Sequence, residues 1–361
     1  ELLPIKNNVL TFLKVRGSYS EVGNAPTRYI AYQTYPYESA SPVTATTYPN
    51  TDIKPERTKA WEVGLQSHLW NDKLELNVSL YKTSTYNQLF NPSISASSGY
   101  SSIYINGGQV DNKGIEASLT LNQPLGPVQW NSTFTYTINR NKIKKLLKPT
   151  TLSNGEVVKQ DMMDLGGLEI VNSRLFEGGS IGDLYVTALR TDSHGYIDVD
   201  YVNNTVAIDN KAGERQDGWI YAGNSQAKYM MGWRNSFSWK GLTLGCLVNA
   251  RIGGIVVSQT QAMMDAYGVS TATAEARDLG YVLIDGYKVP AVQKYYSTVG
   301  SGVGSMYVYS ATNVRLAELS LGYNIPVQKW VPWIQGMNVA FTGRNLLMFY
   351  CKAPFDPELT A

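Results

Sequence analysis

The chain has 361 residues with 31 Lys and Arg against 29 Asp and Glu, two His and two Cys. A formal charge of +2 is too balanced for a nucleic-acid surface. Two His do not furnish a zinc site with such partners, and two Cys are too few for a disulfide scaffold, so Cys246 and Cys351 are expected to be unpaired thiols. No run of 18 apolar residues occurs, which excludes a transmembrane helix. A spanning β-strand is not excluded, because it needs only about 9–11 alternating residues. The sequence opens at Glu1 without a signal-peptide pattern and ends in loop-like sequence at Ala361. It reads as an internal or processed piece of a longer chain, and localisation is not taken from a targeting segment.

Taken in chain order, the elements share one period. Leu13, Val15 and Gly17 face away from Lys14, Arg16 and Ser18. Trp61, Val63 and Leu65 lead through His68 and Leu69 to a short turn, Asn71-Asp72-Lys73. Leu74, Leu76, Val78 and Leu80 then alternate with Glu75, Asn77, Ser79 and Tyr81. Pattern and turn chemistry make this a hairpin. Residues 104–113 read as a glycine-rich loop that passes at Gly114 into a two-faced strand over 114–122. Ile115, Ala117, Leu119 and Leu121 lie on one side and Glu116, Ser118 and Thr120 on the other. After a turn at Pro124, Gly126 and Pro127, Trp130, Ser132, Phe134, Tyr136 and Ile138 alternate with Asn131, Thr133, Thr135, Thr137 and Asn139. Another hairpin covers 228–254 around Lys240-Gly241. The last pair, 313–324 and 337–349, is joined by a segment with Pro326, Trp330, Pro332 and Trp333.

Short turns alternate with long connections near 19–58, 89–106, 145–227 and 255–310. Structureless loops longer than about 15 residues are uncommon in compact domains and are usually functional. If every second connection is long, all the long ones lie at one end of an up-and-down sheet. That is the layout of an outer-membrane barrel, with short periplasmic turns and long extracellular loops. Lys14, Arg16, Glu75, Glu116 and Arg251 fall on the polar side of their strands and are lumen-facing candidates by parity. A Lys or Arg on the lipid side costs roughly 2–4 kcal/mol at the midplane. Strand ends carry aromatics (Tyr19, Trp70, Tyr100, Trp130, Trp239, Tyr323), as interfacial girdles do. A soluble sandwich gives the same period, with its apolar face in a core, so periodicity alone leaves both open. About nine spanning strands are expected, an odd number, so the piece does not close a barrel by itself.

Several blocks resemble the C-terminal barrel of the SusC-like family of TonB-dependent outer-membrane transporters. They are LKVRGSYSEVGN (13–24), ERTKAWEVGL (56–65), SASSGYSSIYINGGQVDNKGIEASL (95–119), NVRLAELSLGYNIP (313–326) and TGRNLLMF (342–349), followed by PFDPE (354–358). The resemblance implies an all-β fold: a transmembrane antiparallel barrel of 22 strands, of which residues 1–361 supply a C-terminal portion. The plug domain and final strand have no counterpart in these residues. It further implies a non-enzymatic importer of glycan oligosaccharides or peptides in a Gram-negative outer membrane. TonB would energise it through the N-terminal part, and a SusD-like surface lipoprotein would act as a lid. A dimer of such transporter–lipoprotein pairs is expected. The rival reading is a soluble extracellular β-sandwich, either an adhesin or a carbohydrate-binding protein.

Other motifs are weaker. Asp192, Asp198 and Asp200 in RTDSHGYIDVD suggest oxygen ligands for Ca2+, yet the spacing departs from the calcium-loop pattern and a solvated acidic loop fits better. No other cofactor is expected. Trp219 and Tyr221, late in the longest loop, are candidates for substrate or lid contact, against the plainer reading that they pin the loop to itself or to the lipoprotein. Tyr100 and Tyr104 are candidates of the same kind, with an interfacial girdle as the plainer reading. No nucleophile, base and orienting group assemble into a catalytic constellation.

Overall fold

A computed structural model describes residues 9–358 apart from 36, 39–40, 43–44, 92–93, 95–98, 147–149, 152–154, 156, 159–160, 201, 203–204 and 332. Pro332 and the SASS run at 95–98 therefore lie outside the described residues. In chain order the strands of five residues or more are β1 (Leu10–Asn24), β2 (Glu56–Leu69), β3 (Leu74–Phe90), β4 (Ile105–Leu125) and β5 (Val128–Lys145). Next come β6 (Met162–Leu168), β7 (Val171–Phe176), β8 (Asp183–Thr187) and β9 (Trp219–Asn224). β10 (Tyr229–Trp239), β11 (Leu242–Ile252), β12 (Asn313–Ile325) and β13 (Met337–Cys351) complete the set. The chain divides into two compact units.

The first unit holds a nine-stranded sheet in the order β1-β2-β3-β4-β5-β10-β11-β12-β13, every pair antiparallel. The connections β2–β3, β4–β5, β10–β11 and β12–β13 are the short ones; the other four are long and share the opposite end. Positive φ at Trp70, Asn71 and Asp72, and at Lys240 and Gly241, lets two of the short turns reverse tightly. The nine expected spanning strands are thus present and each is at least 11 residues long, enough to cross a bilayer.

Register carries the alternation from strand to strand. One row runs Val15–Leu65–Val78–Ala117–Tyr136–Met231–Ala250–Val314–Tyr350. Another runs Trp130–Phe237–Leu244–Leu321–Phe341 near the short turns. Among the described residues nothing covers these rows: Val15 is 69% exposed, Leu244 44% and Phe341 75%. A soluble sandwich would bury this face in a core, and monomeric soluble proteins rarely expose so large an apolar patch. Two indole N–H groups on the face are satisfied locally. Trp130 donates to Asn235 Oδ1 at 3.1 Å and Trp233 to Ser132 Oγ at 3.0 Å, as a medium without water requires.

One expectation is corrected. β4 begins at Ile105, not Gly114. The glycines of the presumed loop serve a strand that bulges between Gln109 and Val110. Gly108 takes a φ of 74° there, a conformation that costs an L side chain energy. Cys351 ends β13, and no disulfide joins it to Cys246.

The second unit comprises Met162–Ala227, Gly253–Thr312 and Lys352–Ala361. The two longest connections read from the sequence are therefore folded. A four-stranded antiparallel sheet, β6-β7-β8-β9, stands beside α1 (Gln259–Ala266), α2 (Thr271–Leu279) and α3 (Val292–Gly302) in chain order. Ile170, Val206, Ala262, Ile284, Val289, Tyr295, Val299, Val303 and Tyr307 form its core. The helices have local causes. Ser258 and Ser270 accept the amides of Gln261 and Thr273 at 3.1 and 3.2 Å, and Gly280 closes α2 at a φ of 77°.

A glycine fixes one close contact on the polar face. A Cβ at Gly114 would collide with the Ile138 carbonyl oxygen and the Tyr81 ring end, whereas one at Gly17 meets nothing closer than 4.0 Å. Gly114→Val is expected to cost about 1–3 kcal/mol, the usual range for overpacking. Gly17→Ala should leave stability unchanged or raised. Thermal transitions of the detergent-solubilised protein would measure both.

Candidate functional site

The polar face of the main sheet gathers the sequence-predicted residues. Arg16, Glu116 and Arg251 share one register row, Arg16–Gly64–Ser79–Glu116–Thr137–Met230–Arg251–Asn313. Lys14 lies two residues nearer the short-turn end, in the row Lys14–Gln66–Asn77–Ser118–Thr135. Glu75 lies in the next row, His68–Glu75–Thr120–Thr133. All five therefore sit on one side of the sheet, on rows otherwise filled mainly by Ser, Thr, Asn and Gln.

These charges are tied across strands. The Arg16 guanidinium crosses Gly64, which has no side chain to obstruct it. It donates to Ser79 Oγ at 2.5 Å and Asn77 Oδ1 at 3.3 Å, and lies 3.7 Å from Glu62. One side chain thus spans β1, β2 and β3. Glu75 accepts from Asn122 Nδ2 at 3.1 Å, and Asn131 Nδ2 donates to Asn122 Oδ1. Tyr81 lies over Gly114 and donates to Asn139 Oδ1 at 3.3 Å. Sequence reading missed Glu318, which stands 3.7 Å from both Arg234 and Arg344. It also missed Arg315, which is buried and donates to Asn313 Oδ1 at 3.2 Å. Parity counted from Leu319, Leu321 and Tyr323 would have found Glu318; the bulge beside it hides the rhythm when counted from Val314. Such a wall offers paired charges and short hydroxyl and amide groups: it is wettable without presenting a strong fixed charge to a solute.

At the long-loop end of the same unit lies a cleft of about 940 Å³, lined by Asn50–Lys54, Tyr86, Asn87, Ile105–Gln109 and Lys145. Asn106 holds it together. Its amide donates to the carbonyls of Lys54 and Asn87 at 2.7 and 2.8 Å, and its oxygen accepts Lys54 N–H at 2.5 Å. Tyr104 borders the cleft in sequence, its carbonyl accepting Asn50 Nδ2 at 2.8 Å, and Tyr100 packs edge-on to Tyr48 at 5.2 Å. Neither Tyr100 nor Tyr104 is fully buried.

Trp219 and Tyr221 belong to the second unit, on β9. Their face of the four-stranded sheet also carries Asp164, Arg174, Phe176 and Tyr185 by register. Arg174 is 7% exposed. It pairs with Asp217 at 2.8 Å and Asp164 at 3.6 Å, and its guanidinium lies 5.0 Å from the centre of the Trp219 ring. Phe176, Tyr185 and Tyr221 form an edge-packed ladder with centroids 5.3 and 5.5 Å apart. Tyr221 donates to Asp183 Oδ1 at 3.3 Å, and burial together with that carboxylate pushes its hydroxyl pKa up. Trp219 is thus pinned by its own unit, while Tyr221 remains more than half exposed.

The acidic loop is occupied internally. Asp198 pairs with Arg190 at 2.6 Å, Asp192 accepts the amides of His194 and Tyr196, and Asp200 accepts that of Val202. Among the described residues, no three His, Cys, Asp or Glu side chains converge as metal ligands.

An antiparallel sheet with one bare apolar face, one wet face and long loops at one end defines the wall of an outer-membrane β-barrel. Residues 7–245 match the model of the TonB dependent receptor-like, beta-barrel family, and the chain belongs to that family. It is similar to TonB-dependent receptor P3 of Formosa agariphila, at 26% identity over 98% of this chain and 36% of that protein. TonB-dependent receptor P26 of the same organism is 24% identical over 86% of this chain and 32% of its own length. The chain therefore spans about a third of the curated relatives it matches. Among solved structures it resembles the RagAB peptide transporter, with a TM-score of 0.72 and 20% identity, covering 98% of this chain and 38% of that one. A closed-closed state of the RagAB peptide importer gives a TM-score of 0.73 over 39% of its chain.

Two outcomes are expected. Asn106→Ala removes two hydrogen bonds to Lys54 and one to Asn87, and the Lys54 amide should exchange with deuterium at least tenfold faster. In the second unit, Tyr307 donates to Asp265 at 2.9 Å, and burial and then that carboxylate raise its pKa well above the usual tyrosine range. Tyr295 is pushed up to about 12, first by burial and then by Tyr296 and Asp265. Both pKa values are raised on folding. Their contribution is therefore complete below the unfolded tyrosine value of about 10 and is lost as pH climbs through the folded values. Ultraviolet titration should show both phenols silent at pH 11, with the second unit loosening above that.

Proposed function

We propose that the chain forms part of the barrel wall of a TonB-energised outer-membrane importer that takes up oligomeric nutrients, glycans or peptides. A SusD-like surface lipoprotein acts as its lid, and two transporter–lipoprotein pairs associate. The observation that carries this reading is the bare apolar face backed by a face of cross-strand charge and amide networks. The first suits lipid and the second a wet lumen. Lys14, Arg16, Glu75, Glu116 and Arg251 then line the passage. The long connections, including Tyr100, Tyr104, Trp219 and Tyr221, face the outside and meet substrate or lid. Similarity to the RagAB peptide importer supports a peptide as readily as a glycan. TonB would act through segments beyond the third of the receptor that this chain spans.

The test is purification of the full-length protein from native outer membranes in mild detergent, with mass spectrometry of everything that co-migrates. A stoichiometric lipoprotein and a retained oligosaccharide or peptide are expected, and uptake of that oligomer should stop when the gene is deleted. Recovery of the protein in the soluble fraction, alone, would defeat the proposal. In the same system Val78→Arg, on the apolar face, should destabilise the barrel by about 2–4 kcal/mol, while Asn77→Arg on the polar face should cost far less.

A further inference from the structure

The apolar face is not apolar to its end. Where its strands approach the long loops, the outward register row reads Tyr19–Trp61–Lys82–Lys113–Arg140. The row beyond it reads Glu21–Lys59–Ser84–Asp111–Lys142. Three cations thus stand directly opposite one another on three adjacent strands, on the side that otherwise carries Leu80, Ile115 and Ile138. Directly opposed like charges destabilise an antiparallel pair, so the sheet does not gain from this row by itself. Lys82, Lys113 and Lys142 are exposed, and among the described residues no carboxylate lies within ion-pair distance of them. Nearby acids are committed elsewhere: Asp111 accepts Gln109 Nε2 at 3.0 Å and Glu21 pairs with Arg57 at 3.3 Å. Arg140 is held outward, its guanidinium 5.5 Å from the Tyr229 ring centre and bonded to the Lys228 carbonyl at 3.0 Å.

The height of the row identifies what it meets. On β5, Trp130 marks the aromatic row near the short turns, and Arg140 lies ten residues further along the strand. At about 3.4 Å per residue and a tilt of about 40°, that separation is roughly 26 Å along the membrane normal, the height of an outer-membrane apolar band. The cations therefore emerge at the headgroup level of the long-loop side, their aliphatic stems on the apolar rim.

We infer that Lys82, Lys113 and Arg140, backed by Lys59 and Lys142, form a docking surface on the outside of the barrel for the phosphate groups of outer-leaflet glycolipid. The inference rests on the outer-membrane reading above and adds a lipid site distinct from the import passage. Lipid phosphate supplies the anion that the row lacks and screens the repulsion between its members.

The experiment uses full-length protein extracted from native outer membranes with its co-purifying partners. Native mass spectrometry in neutral detergent should find phosphorylated glycolipid on the wild type and at least five-fold less on the triple variant K82Q/K113Q/R140Q. K113Q alone should retain an intermediate amount, K82R/K113R should keep the lipid, and K240Q at the short-turn rim should not alter it. Purified phosphorylated lipid A should raise the thermal transition of the wild type and not that of the triple variant. Dephosphorylated lipid A, and inorganic phosphate at equal concentration, should raise neither. Equal retention by the triple variant, or an equal effect of free phosphate, would overturn the lipid site while leaving the importer reading intact. Recovery of the protein outside the outer membrane would overturn both.

Discussion

The structure depends on closure of the backbone hydrogen bonds between neighbouring strands. A membrane interior offers no water to an amide or a carbonyl, so a spanning strand must find both partners in adjacent strands. That demand fixes the antiparallel ladder, and the ladder fixes register. Because side chains alternate with a period of two, register in turn decides which residues meet lipid and which meet water. The apolar row from Val15 to Tyr350 and the polar row from Arg16 to Asn313 are two readings of the same ladder. Neither could shift by one residue without exchanging places with the other.

Much of this was legible because the ladder is encoded locally. Strict alternation in residues 74–81 and 130–139, with turn residues between the strands, needs no knowledge of the rest of the chain. The five polar-face charges followed from parity alone. What escaped was whatever depends on departures from parity or on distant contact. β4 was read as starting nine residues too late because Asn106, Gly107 and Gly108 look like a loop in isolation. Only their contacts with Lys54, Asn87 and the bulged ladder make them strand. Glu318 escaped because one extra residue breaks the count. The second unit was invisible for another reason: its core draws on Ile170, Val206, Ala262 and Val299, separated by long stretches of chain.

The two units solve different physical problems with the same chain. In the first unit, stability comes mainly from backbone pairing and cross-strand side-chain ties, with only a few apolar side chains such as Ile103, Ile143 and Leu146 fully buried. In the folded connections it comes from burial of apolar residues around capped helices and a small sheet. Tyr307 and Asp265 there are bonded to each other inside that core, as a buried polar pair must be. This division lets the connections vary their surfaces, where Tyr221 and its aromatic neighbours are displayed, without disturbing the register of the wall.

The irregularity in β12 has an evolutionary consequence. Leu316 and Glu318 are both even-numbered, yet Leu316 pairs with Val248 and Glu318 with Leu247, so Ala317 is a single supernumerary residue in the ladder. The inserted residue resets the phase of the strand, leaving Leu316 with the oily side and Glu318 with the wet one. A relative that lacks it must either move its acidic residue by one position or give up the Arg234–Glu318–Arg344 cluster. Gap-free alignment through this strand would therefore pair outward residues of one protein with inward residues of another. Here a true homology statement must include a one-residue gap in the middle of a strand, where alignments are least inclined to place one.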